Sequence, residues 1–573
     1  MAPDLVLRNG LIVDGLGGEP FLGDVAVSGG VIVAVGAVTG TGAREIDATG
    51  LLITPGFVDL HTHYDGQAIW SDRLNPSSAH GVTTAVMGNC GVGFAPCRTE
   101  DHDVLVDVMA GVEDIPGVVM TEGLPWTWET FPQYLDALSA RQLDIDVAAY
   151  LPHSPLRVYV MGQRGANREP AGREDLAQMR ELAAEAMRAG ALGFASSRFA
   201  FHKTESGSPI PSYDASRDEL EAIFAGVAEG GGGLIQFVPD IPAGGFEAVL
   251  GQVFEVAGDA GLPVTFSLLT GNVGDPLWPE AMALIEKANA AGGSVTAQMF
   301  PRPIGLVVGL ELTANPFVLY PSYREIADLP LADRVALMRR PEVRARILAD
   351  SPGHGHPLLY LAQAWDWMFP LEDDPDYEPD ASESVGAHAR ARGVSPMEEA
   401  YDRLLDEDGH AMLMVAMGNF ENNSLDTVGH LMRRDDVVLG LGDGGAHYGM
   451  ICDAGFPTFL LTHWARDRAS GRLTVAEAIR ELTSVPAQVA GLADRGRIAV
   501  GHKADLNVID HAAMRVHKPV ITRDLPAGGR RLDQTADGYV ATIVSGEVIA
   551  ENGVATAARP GRLVRGRQPA PSA

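Results

Sequence analysis

Between residues 51 and 490 the chain alternates short apolar runs with stretches of helical periodicity. Short apolar runs bounded by turn residues read as buried strands, whereas apolar positions recurring every three or four residues read as helices. Eight runs are of the first kind: 51–63, 82–90, 147–153, 191–197, 234–239, 264–270, 295–301 and 437–443. Helical segments fall between several of them, at 174–189, 217–229, 246–260 and 279–291, with Ser216 placed to cap the second. Alternation of this kind predicts a parallel sheet, and eight repeats predict an α/β fold, a (β/α)8 TIM-like barrel.

Both ends have a different texture. Short strands are expected at 4–8, 11–14, 24–28, 31–35 and 45–47, with hairpin signals at Asn9-Gly10 and Gly29-Gly30. After a helix over 474–490, strand character returns at 496–499, 504–509, 539–545 and 547–550, with a hairpin turn at Ser545-Gly546. Residues 1–55 and 491–560 therefore predict the two parts of a small β-sandwich beside a barrel of 56–490, and 561–573 a loose tail. Two stretches break the repeat. Residues 98–146, with Trp126, Trp128, Phe131 and Tyr134, predict a helical insertion over the barrel mouth. Residues 305–436 predict a longer one, with helices near 332–350 and 396–406 and an exposed acidic loop at 372–383.

Charge narrows the partners. Acidic residues number 75 against 43 basic ones, a net charge of −32 over 573 residues, which argues against nucleic acid or an anionic membrane and for a soluble protein with a small-molecule substrate. The first residues lack a basic and apolar leader pattern, no apolar run is long enough for a membrane helix, and Cys90, Cys97 and Cys452 are too few for a disulfide framework. These features predict a cytoplasmic protein. They leave oligomeric state open, a homo-oligomer included.

In a barrel, reactive side chains gather where strands end at their C-terminal edge. The first run ends His61-Thr62-His63. Alternation on a strand turns both imidazoles to one face, where they can share a metal ion. The second run ends at Cys90, a thiolate ligand or a small buried apolar residue. The third ends at His153 with Arg157 following, and these two, with Gln236, Phe300, Arg302 and His447, are the candidates for binding substrate. The eighth ends at Asp443 in a Gly-rich turn with His447 just beyond; its carboxylate can bind a hard cation or accept a proton from water, or simply form the turn. A divalent ion facing a carboxylate base predicts hydrolysis of an amide-like C–N bond. His354-Gly355-His356 repeats the spacing but follows Pro352-Gly353 and reads as loop, and the other histidines, His202 among them, read as surface or structural.

The stretch Pro55-Gly56-Phe57-Val58-Asp59-Leu60-His61-Thr62-His63, the strand-eight aspartate and a β-unit built from both ends resemble the amidohydrolase superfamily. Within it, residues 83–96, 153–157, 189–194, 473–492 and 496–506 resemble the D-aminoacylase (N-acyl-D-amino-acid deacylase) branch. The resemblance implies that His61 and His63 are zinc ligands, Cys90 a zinc-binding thiolate, and Asp443 a ligand and the proton shuttle. The chain departs from the pattern at strands five and six, which carry no histidine, and lacks the lysine that follows strand six. One zinc is expected from His61, His63, Cys90 and Asp443, and a second is left open; Gln236, His153 or His447 could complete the shell. The strand-seven tyrosine of the family is replaced near Phe300, and Arg302 could stand in as a carboxylate clamp. The function expected is metal-dependent hydrolysis of an N-acyl amino acid or related N-acyl amide. A cyclic amide or lactone hydrolase, a metal-dependent decarboxylase, and a binding protein that lost its metal are the alternatives.

Overall fold

The protein is described here by a computed structural model covering residues 2–240, 245–272, 276–353 and 357–571. The eight expected runs are eight strands: β1 (Phe57–Asp59), β2 (Val82–Met87), β3 (Asp146–Pro152), β4 (Gly193–Ser197), β5 (Leu234–Val238), β6 (Val264–Ser267), β7 (Val295–Met299) and β8 (Val437–Leu439). They pair in sequence order as one parallel sheet. Nearly every residue of these strands is buried, as expected of parallel strands covered on both faces. The ends of the sheet meet just beyond β1 and β8, where the Asp443 amide donates to the His61 carbonyl (3.0 Å) and the His63 amide to the Gly444 carbonyl (2.8 Å). The helix Arg217–Glu229 begins as expected, with the Ser216 hydroxyl accepting from the Glu219 amide.

Both chain ends pair into one nine-stranded sheet. Its centre is Leu52–Pro55, flanked by Leu5–Ile12 on one side and Leu506–Ile509 on the other. Run 51–63 is therefore two strands, parted at Gly56: the first half serves this sheet and the second opens the barrel. Asn9-Gly10 is a bulge inside one strand, not a hairpin; Asn9 takes φ +58° and the register against Phe21–Ser28 shifts there. Residues 496–499 form no strand. The helix over 474–490 divides at Thr483 into Val475–Leu482 and Ser484–Val489.

The first insertion is helical: α1 (His102–Glu113), then Gly117–Gly123 and Phe131–Ser139. The second holds more than helices. Ile304–Gly309, Met412–Gly418 and Met368–Leu371 make an antiparallel sheet with Met412–Gly418 at its centre, over a separate core that includes Phe317, Tyr323, Tyr401 and Val415. Its acidic loop is exposed only in part: Tyr377 is buried, and Glu378 is bound by His463 Nε2 (2.6 Å) and Arg468 Nε (2.9 Å). The His354-Gly355-His356 segment lies outside the described residues.

Residues 561–568 are not loose. Gly561, Leu563 and Gln568 bridge to Leu143, Val147 and Leu492, and Val564 is buried among barrel residues. Arg562 N–H donates to Asp146 Oδ1 (2.9 Å) at the start of β3. Removing residues 561–573 should lower unfolding stability by about 2 kcal/mol or more, the worth of one buried aliphatic side chain plus its backbone bonds. Urea unfolding of the truncated protein checks this, and an unchanged midpoint would return the segment to a mere tail.

Candidate metal centre

Three chain segments bring four donor atoms together. His61 and His63 follow β1, Cys90 follows β2, and Asp443 follows β8. Cys90 Sγ lies 3.3 Å from His61 Nε2 and 3.9 Å from His63 Nε2. Asp443 Oδ1 lies 3.5 Å from His61 Nε2 and 3.6 Å from His63 Nε2. With zinc–ligand bonds of about 2.0–2.3 Å, a tetrahedral shell has edges of about 3.3–3.8 Å; the donor atoms of His61, His63 and Cys90 lie within 4.8 Å of one another, as three ligands of one ion could, and Asp443 stands at such an edge from each imidazole. The histidines and Cys90 are buried and Asp443 is partly open, with its side chain 20 % exposed.

The backbone is bent to achieve this. Cys90, Asp443 and His447 take φ of +58°, +47° and +52°, in the left-handed region that non-glycine residues rarely enter and that clusters at functional sites. Neighbouring glycines make room. A Cβ on Gly91 would sit 2.8 Å from the Ser196 Cα, and one on Gly445 (φ +90°) 2.8 Å from the His63 carbonyl.

Each imidazole has a polar neighbour on its far side. His61 Nδ1 lies 2.8 Å from Gln298 Oε1 on β7, which places the proton on Nδ1 and leaves Nε2 an open lone pair facing Cys90 and Asp443. His63 Nδ1 lies 3.2 Å from Glu113 Oε1, at the last residue of α1. Cys90 is held by Gln236, whose Oε1 accepts from the Cys90 amide (3.0 Å). Burial holds the imidazoles neutral, pushing His61 down to about 4, His63 to about 3 and His447 to about 4. Burial, helped by Glu113 and Asp443, pushes the Cys90 thiol up. Asp59, which accepts from the His61 amide (3.1 Å), is raised to about 8 by burial.

Of the further residues read as substrate-binding, the structure brings two to this site. Gln236 is spent on the Cys90 backbone, so it shapes the thiol loop and does not offer its oxygen outward. His447 stands beside His63 with ring centroids 6.4 Å apart, and its Nε2 lies 3.4 Å from Glu113 Oε2. The others are otherwise engaged. His153 bonds Ser196 Oγ (2.8 Å) through Nδ1 and Glu219 Oε1 (2.9 Å) through Nε2, and Arg157 pairs with the same Glu219. This fully buried cluster ties the helix His153–Met161 to Arg217–Glu229. Although burial acts against it, the two bonded partners bring the Glu219 carboxyl down to about 2. Arg302 is no free clamp: it binds Asp453 Oδ1 (2.6 Å) and stacks on Tyr377, 4.0 Å from the ring centroid. Phe300 is buried against Phe456.

Sequence reasoning missed Glu113, Gln298 and His202. Gln298 had a signal, a polar side chain in the middle of an apolar strand. His202 bonds Ser197 Oγ (2.8 Å) at the end of β4, and burial together with His447, His63 and His61 lowers it to about 3. Glu113 had none, being one acidic residue at the end of an insertion helix.

An eight-stranded barrel that gathers two imidazoles, a thiol and a carboxylate at its C-terminal mouth defines a metal-dependent hydrolase. The model of the amidohydrolase family matches residues 44–550, and the chain belongs to that family. It is a hydrolase of C–N bonds other than peptide bonds. An uncharacterised protein of Mycobacterium tuberculosis (strain ATCC 25618 / H37Rv) is 28% identical over 94% of this chain and 86% of its own. The N-acyl-D-glutamate deacylase of Alcaligenes xylosoxydans xylosoxydans is 27% identical over 88% of this chain and 87% of its own. Among solved structures, a D-aminoacylase studied for one-metal activation and second-metal attenuation of its binuclear centre superposes with a TM-score of 0.65 at 25% identity, covering 98% of this chain and 100% of that one. The expected likeness to the D-aminoacylase branch is thus borne out, as is the barrel. Among the described residues no helix is long and apolar enough to cross a membrane.

At neutral pH the metal-free thiol carries its proton and the imidazoles carry none, so zinc should displace at least the Cys90 proton, with any held by the buried Glu113 and Asp59 carboxyls besides. Calorimetric titration of metal-free protein with zinc at pH 7 in two buffers of unlike ionisation enthalpy should show this difference. In Cys90→Ser it should shrink by about one proton's worth. A wild-type heat independent of buffer would contradict a protonated thiol in the free site.

Proposed function

We propose that the protein hydrolyses the amide bond of a linear N-acyl compound at a single zinc held by His61, His63, Cys90 and Asp443, with Asp443 as the proton shuttle. The observation that carries this reading is the approach of Cys90 Sγ and of Asp443 Oδ1 to both imidazoles, each within 3.3–3.9 Å, at the barrel mouth. When bound, the ion supplies Lewis acidity and brings water to a pKa of about 7. The residues do the rest. Gln298 orients the His61 ring. Asp443, the most open of the four side chains, accepts a proton from the attacking water and returns it to the departing nitrogen. The neutral imidazoles of His447 and His202 stand around the mouth, where they can donate to or accept from the substrate.

The amine half of the substrate is read from charge. Arg302, the cation expected to meet a carboxylate, is bound to Asp453, and Arg157 is bound to Glu219, while Asp443 and Glu113 make the mouth acidic. This supports an N-acyl amide without a carboxylate next to the scissile bond. The second reading, an N-acyl-D-amino acid, is favoured by the likeness to N-acyl-D-glutamate deacylase.

A panel of N-acyl amides and of N-acyl-D- and L-amino acids, with and without chelator, separates the two. Preferential, chelator-sensitive turnover of the uncharged amides is expected; turnover of acyl-D-amino acids alone would replace the first reading by the second. His61→Ala and Asp443→Ala should each lower kcat at least 10³-fold, on the order expected for loss of the metal or its proton acceptor, while circular dichroism stays unchanged. Retained turnover in either variant would remove the site.

A further inference from the structure

Glu113 occupies a place that local physics disfavours. It is the last residue of α1, where the helix dipole presents its negative end, so a carboxylate there is repelled. It is also 1 % exposed, and a buried carboxylate is strongly disfavoured unless a cation or hydrogen bonds compensate. Among the described residues no lysine or arginine pairs with it. What faces it are two imidazoles: His63 Nδ1 at 3.2 Å from Oε1 and His447 Nε2 at 3.4 Å from Oε2. Both are within pairing distance, yet neither has the angle of a formed hydrogen bond, so both carboxyl oxygens and His63 Nδ1 are left as orphaned buried atoms. Two more contacts place Glu113 with care. Its carbonyl accepts from the His447 amide, and Asp114 just after it takes a left-handed turn (φ +50°) that ends the helix. A residue breaking a local rule without nearby compensation marks a functional position.

We infer that Glu113 is a positioning residue for the metal centre: it receives the His63 Nδ1–H so that Nε2 faces the ion, and holds His447 at the mouth through its second oxygen. The compensation that α1 lacks comes from the cation one imidazole away, so loading the ion also fastens the end of the inserted helix to the turn after β8. Partners of this kind, behind a ligating histidine, are worth 10- to 100-fold in metal affinity (roughly, across metalloproteins). Nothing in the substrate reading bears on it; it rests only on the proposal that His61, His63, Cys90 and Asp443 hold zinc.

The test uses the full chain. Zinc dissociation constants are measured by chelator competition for the wild type, Glu113→Gln and Glu113→Asp, with melting temperatures of each protein free of metal and loaded. Glu113→Gln keeps the volume and loses the charge. It should bind zinc about 10- to 100-fold more weakly, and its metal-free form should melt no lower than the wild type, since the Glu113 carboxyl has no formed hydrogen bond there to lose. The zinc-induced rise in melting temperature should shrink. Glu113→Asp, too short to reach both imidazoles, should fall between. Affinities of both variants within two-fold of wild type would overturn the inference. So would a metal-free Glu113→Gln that melts well below wild type, because that is the mark of a purely structural role. A wild-type protein that binds no zinc would overturn this inference together with the site beneath it.

Discussion

Two backbone hydrogen bonds carry this structure. They run from Asp443 N–H to the His61 carbonyl and from His63 N–H to the Gly444 carbonyl, where the first and last barrel strands have already ended. One pair of bonds joins the edges of the parallel sheet, removing an exposed edge. The same pair fixes the separation between the histidine pair and the strand-eight carboxylate. Barrel closure and site assembly are thus one event. The odd backbone angles at Cys90, Asp443 and His447 follow from it, since the loops must double back tightly enough to meet over the strand ends.

Around that closure, polar side chains are used sparingly and each has a task. Gln298, Gln236, Asp59 and Glu113 each address one of the donors or its backbone. Three of the four sit on barrel strands, where rigid backbone suits the precision a metal shell needs. Glu113 alone arrives on an insertion. The other charged clusters near strand ends, Glu219 with His153 and Arg157, and Asp453 with Arg302, are already neutralised and bind elements together.

The sequence made the barrel legible for a specific reason. Parallel strands buried on both faces read as unbroken apolar runs, and all eight were visible as such. His61, His63, Cys90 and Asp443 could be named because a barrel confines chemistry to strand ends, which reduces the search to a few residues per run. Legibility failed where tertiary context decides. Run 51–63 looks continuous, and only the pairing of Leu52–Pro55 with Leu506–Ile509 divides it at Gly56. Asn9-Gly10 carries a turn signature, yet neighbours on both sides stretch it into a bulged strand. Arg302 and Arg157 looked available because their partners, Asp453 and Glu219, are about 150 and about 60 positions away in the chain. Glu113 was invisible since nothing in an acidic helix end tells which way its carboxylate turns.

The nine-stranded sheet has an implication for how the molecule comes into being. Leu52–Pro55 leads straight into β1 and the histidine pair, but one of its two neighbours, Leu506–Ile509, emerges from the ribosome some 450 residues later. Throughout synthesis the segment that anchors the histidine pair therefore has an unsatisfied flank. Contacts spanning such sequence distances are slow to form because loop closure must be accomplished before they stabilise anything. Maturation of the centre is thereby tied to completion of the polypeptide, and a nascent chain that captured zinc early would do so on an unfinished foundation.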